Sequence, residues 1–237
     1  QPEHLLLSSS EQARALSPFV SGDSEGGADV EPERQWAVDA GIEHRFRRWR
    51  LDVAYWRRDG RDMADPNVFF GTTVIFPNAV AEGRAQGLDV RLEMPRWHGW
   101  SGYASSAVGR VIQTGPVTGG LFLEDEIAFI GSGVEFVPDH DQRVVLAGGL
   151  TWEHLRSGFS ASTTVRYESG TPVQRDDEDG ELEERPGAEL VDFERGRVKP
   201  RLLFSLVAAL PLADTTRARV MLRASLLNLF DRAYAYN

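Results

Sequence analysis

Arg219-Val-Met-Leu-Arg-Ala-Ser-Leu-Leu-Asn228 alternates with a period of two. Val220, Leu222, Ala224 and Leu226 share one phase, while Arg219, Arg223 and Ser225 share the other. A β-strand sends successive side chains to opposite faces. This segment therefore presents one apolar face and one that needs water or charge partners. Working upstream, the same rhythm predicts eight strands, near 34–47, 50–61, 84–94, 100–112, 142–154, 158–169, 200–210 and 217–229. The clearest is the third, where Leu88, Val90, Leu92 and Met94 alternate with Asp89, Arg91 and Glu93. The fourth is ambiguous in face, because Gly, Ala and Ser fill both phases around Trp100 and Tyr103.

The connections fall into two classes. Tight turns are expected near 47–50, 95–99, 154–158 and 211–216, and long Gly/Pro-rich or charged loops near 62–83, 113–141 and 170–199. A short element is expected near 121–130, and one helical turn at 9–16, within a loop-rich stretch over 1–33. Short turns at one edge and long loops at the other are the habit of transmembrane β-barrels; a soluble sandwich has no reason to sort its loops this way. Trp36, Tyr55, Trp100, Trp152 and Tyr167 close apolar faces, as aromatic girdles do at membrane interfaces, although a sandwich core would use them too.

Composition excludes several classes. The net charge of -10, from 36 acidic and 26 basic side chains, argues against a nucleic-acid binder. With no cysteine, disulfides, thiolate catalysis and cysteine-based zinc sites are ruled out. No stretch approaches the eighteen apolar residues of a membrane-spanning helix. Gln1-Pro-Glu-His opens the chain without an initiator Met or a basic-then-apolar leader, so it reads as an internal or processed piece of something longer.

Several motifs resemble the TonB-dependent outer-membrane receptors, in the C-terminal part of their barrel. Leu226-Leu-Asn-Leu-Phe-Asp-Arg-Ala-Tyr234 is similar to the family's signature after the penultimate strand, carried here by Asn228, Leu229, Phe230, Asp231 and Tyr234. Glu31-Pro-Glu-Arg-Gln-Trp36, the stretch from Asn78 to Val90, Tyr167-Glu-Ser-Gly-Thr-Pro172 and Asp141-Gln-Arg143 resemble further family motifs in the same order. The likeness covers about residues 31–237. It implies an all-β antiparallel meander of about eight strands, part of a large 22-stranded barrel wall over residues 34–237. It also implies a Gram-negative outer-membrane location with lipid around the wall, and no enzymatic activity or cofactor. An N-terminal plug, the rest of the barrel and its final strand are expected outside this chain. The same holds for the TonB box, through which the TonB complex would drive uptake of a siderophore-like ligand. By this expectation the chain alone does not transport, and an open arc of eight strands does not fold stably in water. A soluble all-β ligand- or glycan-binding module is the alternative, and an all-β hydrolase a distant third.

Chemistry-bearing residues are few. Asp176-Asp-Glu-Asp-Gly-Glu-Leu-Glu-Glu184 suggests calcium, but placing Gly180 at loop position 6 puts Arg175 at position 1 and Pro186 at position 12, so the EF-hand pattern fails. A solvated acidic loop is the better reading. The five histidines form no zinc-binding spacing, and Asp139-His-Asp141 reads as turn hydrogen bonding. Arg45, Asp89, Arg91, Glu93, Arg166, Arg219 and Arg223 are expected on the lumen or plug-facing side, as wall structure more than ligand contacts. Phe69, Phe70, Phe76, Phe122, Phe129 and Phe136 are candidate ligand-gripping residues of the long loops.

Overall fold

The structure is a computed structural model that describes residues 32–64, 67–68, 75–76, 78–119, 131–173, 186–214 and 218–234. Its strands are β1 (Arg34–Phe46), β2 (Trp49–Ala64), β3 (Asn67–Val68), β4 (Ile75–Phe76), β5 (Asn78–Trp97), β6 (Trp100–Gly119), β7 (Glu135–Phe136), β8 (Val144–Glu153), β9 (Ser160–Glu168), β10 (Val191–Asp192), β11 (Arg197–Val198), β12 (Arg201–Asp214) and β13 (Arg219–Leu226). The main sheet is an antiparallel meander in the order β1-β2-β5-β6-β8-β9-β12-β13, with β7 paired to β6 at its side. β3–β4 and β10–β11 form separate two-stranded ladders.

Strand lengths depart from the sequence expectation in an instructive way. β5 and β6 run for 20 residues each, well beyond the expected 84–94 and 100–112. Along β2 the phase of Leu51, Val53 and Tyr55 continues as Arg57, Asp59 and Arg61; along β5 the phase of Leu88 continues backwards as Gln86, Arg84 and Glu82. A strand crosses hydrocarbon in about 9–11 residues. Outside that band neither face must be apolar, so the periodic signal fades while the ladder goes on. β12 likewise continues through Pro211, which reads as a turn in sequence because it donates no ladder hydrogen bond. The register shifts between Pro211 and Ala213, and this irregularity absorbs the proline. The expected helical turn at 9–16 and the element near 121–130 lie outside the described residues.

Contacts divide the chain into two compact units, residues 1–38, 57–86 and 111–138, and residues 39–56, 87–110 and 139–237. In the first, Asp59 accepts from Arg57 at 2.7 Å and from Arg84 at 2.9 Å. The Met63 side chain covers the flat surface left by Gly60 and Gly83, and Gly115 N–H donates to Val134 O at 2.9 Å.

In the second unit the register carries one face across five strands. Trp100 lies opposite Trp152, Trp152 opposite Ala161, Ala161 opposite Ala208 and Ala208 opposite Ala224. Further along, Ala104, Gly148, Val165 and Phe204 form the next row but one, followed by Ser106, Leu146, Tyr167 and Leu202. The opposite face carries Ser101, Thr151, Ser162, Val207 and Ser225 in one row. This resolves the ambiguous strand: Trp100 belongs to the apolar face and Tyr103 to the polar one, where its ring lies over Gly149.

No second layer covers the apolar face among the described residues. Leu88, Leu150, Val220 and Leu222 are 42–59% exposed, and the only buried hydrophobic side chains among the described residues are Ala79 and Val80. A water-soluble domain must bury its apolar faces against another layer; this sheet does not. At the tight-turn end, the Trp100 and Trp152 rings are 6.3 Å apart and Phe159 sits 6.2 Å from Trp152.

Candidate functional site

Among the described residues, two carboxylates are buried to 1% exposure, Asp141 and Glu168. A buried carboxylate is tolerated only when paired and hydrogen-bonded, and both are. Asp141 Oδ2 accepts from Arg143 Nε at 2.5 Å and from Arg197 Nη2 at 2.5 Å. Arg197 Nη1 also donates to the main-chain oxygens of Asp141 at 2.8 Å and Gly170 at 3.1 Å. Glu168 accepts from Arg166 Nε at 2.5 Å and, through its other oxygen, from Arg201 Nε. Asp141 is thus held from 56 residues away, which turn hydrogen bonding alone does not explain.

The segment Tyr167–Pro172 makes this cluster possible. Ser169 N–H donates to Val144 O at 2.9 Å, and Ser169 Oγ accepts from Val144 N–H at 3.0 Å. Gly170 has φ 83°, and a Cβ there would lie 2.0 Å from Val198 O, so only glycine fits. Pro172 bridges Arg197, and Val198 N–H donates to Thr171 O at 2.9 Å. Gly170→Ala is expected to destabilise this corner by about 1–3 kcal/mol. Faster amide exchange at Val198 with little change at Val220 would be the readout; unchanged exchange at Val198 would refute the packing account.

The C-terminal motif is equally structural. Asn228, at φ 51°, accepts from Arg232 N–H at 3.2 Å through Oδ1 and donates to Arg232 O at 3.1 Å through Nδ2. Asparagine is among the few residues that tolerate this left-handed conformation. Leu229 N–H donates to Phe204 O at 2.9 Å, and Asp231 N–H to Asn228 O at 2.8 Å. Phe230 packs edge-on against Phe204 at 5.2 Å, and the Arg201 guanidinium lies 5.2 Å from the Tyr234 ring. Arg197 and Arg201 therefore join three separated motifs: Asp141–Arg143, Tyr167–Pro172 and Asn228–Tyr234. Sequence reading passed over both arginines. The usable signal was Arg195, Arg197, Lys199 and Arg201, which recur at every second position up to the start of β12.

The structure distributes the other sequence candidates as follows. Arg166 and Arg223 lie on the polar face of the register, opposite Leu203 and Ala209. Arg91 bonds Glu93 at 2.5 Å, and Glu93 also meets Arg50 at 3.2 Å. Asp89 is exposed in the same strand phase, and Arg45 pairs with Glu43 at 2.7 Å. Arg219 stands opposite Asp214 in the ladder; its side chain, like that of Phe76, lies outside the described residues. So do Phe69, Phe70, Phe122, Phe129 and the acidic loop 176–184. Phe136 is half-buried opposite Gln113 on β6. No metal-holding group of His, Asp or Glu occurs among the described residues. His154 Nδ1 and Ser157 Oγ, 2.8 Å apart, belong to a turn in which Ser157 Oγ also accepts from Phe159 N–H. The arrangement anchors loops at the strand ends and lines one face with ion pairs.

A family model described as "TonB dependent receptor-like, beta-barrel" matches residues 8–229. Among solved structures, the chain is similar to one titled "Copper transporter OprC", with a TM-score of 0.55 and 14% identity over 87% of this chain and 27% of that one. The chain therefore spans about a quarter of that protein's length. No curated protein sequence matches.

Proposed function

Because this chain belongs to the TonB-dependent receptor β-barrel family, we propose that it forms part of the wall of a larger outer-membrane receptor that takes up an iron–siderophore complex. Outer-membrane transport is the family's activity, and the Gram-negative outer membrane is its location. The observation that carries the reading is the apolar face of the second unit, which no other layer of described residues covers. The larger assembly is supported by the sheet order, in which β1 and β13 end the meander and are not paired with each other. Hydrocarbon does not accept unpaired sheet edges, so further strands of the receptor complete the ladder.

In this reading Arg45, Asp89, Arg91, Glu93, Arg166, Arg219 and Arg223 face the plug, and TonB coupling moves that plug rather than the wall. Phe69, Phe70, Phe76, Phe122, Phe129 and Phe136 supply aromatic surface to an organic ligand. The Asp141–Arg197 and Glu168–Arg201 pairs hold the loop bases. Uptake of a labelled ferric siderophore by cells carrying the intact receptor is the test. TonB-dependent accumulation, lost on deletion of the receptor, is the expected result. Accumulation of labelled copper with no ferric-siderophore uptake would refute the cargo and leave the transporter standing. No TonB-dependent uptake of either would refute both.

A further inference from the structure

We propose that the tight-turn rim of this wall is a binding collar for anionic phospholipid headgroups. Three turns of the second unit are tied into one patch. Arg48 lies 3.7 Å from the Trp97 ring centroid. Arg96 Nη2 meets Glu153 Oε1 at 2.9 Å, and Glu153 N–H donates to Gly99 O at 2.8 Å. Trp152 contacts Trp100, His154 and Phe159. The patch thus runs from the 47–48 turn through the 98–99 turn to the 154–158 turn.

Its charge opposes that of the molecule. Residues 44–50, 95–100 and 154–158 contain Arg45, Arg47, Arg48, Arg50, Arg96 and Arg156 in a chain whose net charge is -10; Glu43, Glu93 and Glu153 at their margins pair with Arg45, Arg50 and Arg96, and the turns themselves stay basic. Arg47, Arg48 and Arg156 are exposed, and none of the three forms an ion pair among the described residues. The strand ends that carry these turns also carry Trp100 and Trp152, which the register places on the apolar face. Indoles settle at the depth of lipid headgroups, and arginine stems lie along apolar surface while the guanidinium reaches outward. Guanidiniums next to such rings therefore meet phosphodiester oxygens, which they bind through charge-assisted hydrogen bonds. An acidic protein segment would satisfy the charge but would not account for the continuity with the lipid-facing indoles.

The inference rests on the membrane reading above, and its test separates the two. The intact receptor is placed in bilayer discs of phosphatidylcholine alone or mixed equally with phosphatidylglycerol, and the lipids it retains are counted by native mass spectrometry. A phosphatidylglycerol preference of roughly fivefold per arginine is expected, falling to parity in Arg47→Gln/Arg48→Gln/Arg156→Gln. The corresponding lysine variant, which keeps the charge, should keep most of the preference and guards against a mere folding defect. Parity in the parent receptor, or an undiminished preference in the glutamine variant, would overturn the proposal. So would binding of soluble polyglutamate in place of phosphatidylglycerol, which would point to an acidic protein partner. Failure to insert into pure phosphatidylcholine would instead sink the membrane reading itself.

Discussion

Val165→Arg is expected to destabilise the receptor in a bilayer by about 2–4 kcal/mol, the range for a cation near the midplane of a lipid-facing barrel surface. Val165 lies in the row Ala104–Gly148–Val165–Phe204. That row falls between the Trp100–Trp152 row at the turn end and the Leu146–Tyr167–Leu202 row beyond it. An arginine there must either desolvate in hydrocarbon or drag water and headgroups inward. Thr164→Arg, one residue away on the polar face opposite Gly149 and Ser205, should cost no more than about 1 kcal/mol, as an exposed substitution does. Denaturant titration of both variants of the intact receptor, refolded into phosphatidylcholine vesicles, makes the comparison. Equal losses, or a larger loss at Thr164, would mean that the two faces are assigned the wrong way round.

Arg197→Ala should be nearly as damaging, because it takes the Arg197 guanidinium from a carboxylate that is 1% exposed. Removing one partner of a buried pair costs about 3–5 kcal/mol; Arg143 still holds Asp141, which places the expected loss near the lower end. The same change frees the main-chain oxygens of Asp141 and Gly170. Hydrogen exchange should therefore rise together at 141–143, 169–173 and 196–199, three segments far apart in sequence. Asp141→Asn in the same background should recover part of the loss, since the buried group deprived of the Arg197 guanidinium then carries no charge. Loss confined to the 196–199 segment, without recovery by Asp141→Asn, would show that Arg197 acts only within its own hairpin.

Much of the main sheet was legible because hydrocarbon imposes a strict rule on alternate residues. Leu88, Val90 and Leu92 had to match phase, and Leu222, Ala224 and Leu226 did likewise. The fourth strand was not legible in face because Gly102, Ala104 and Ser106 are small enough to stand against lipid or water. Only the pairing with β8 decides between them. The far ends of β5 and β6 escaped notice for the opposite reason, since water on both sides of a ladder erases the pattern. Asp141, Glu168, Arg197 and Arg201 were hidden differently. Pairing across 33 and 56 residues leaves no local spacing to read, and the basic every-second-residue run from Arg195 to Arg201 was the one trace available. The motif residues Gly170 and Asn228 were visible as motifs, but their reasons, a carbonyl oxygen too close for a Cβ and a left-handed turn, are three-dimensional.

The meander has a further consequence for how such a wall changes over generations. Every long strand of the sheet pairs with its neighbours in chain order, and direction reverses at each step. Excising the β8–β9 hairpin would bring β6 beside β12 in the same antiparallel sense, with one new seam and every other ladder intact. Duplicating a hairpin would be equally mild. The hairpin is therefore the brick of this architecture, and circumference is a quantity that gene duplication and deletion can adjust two strands at a time.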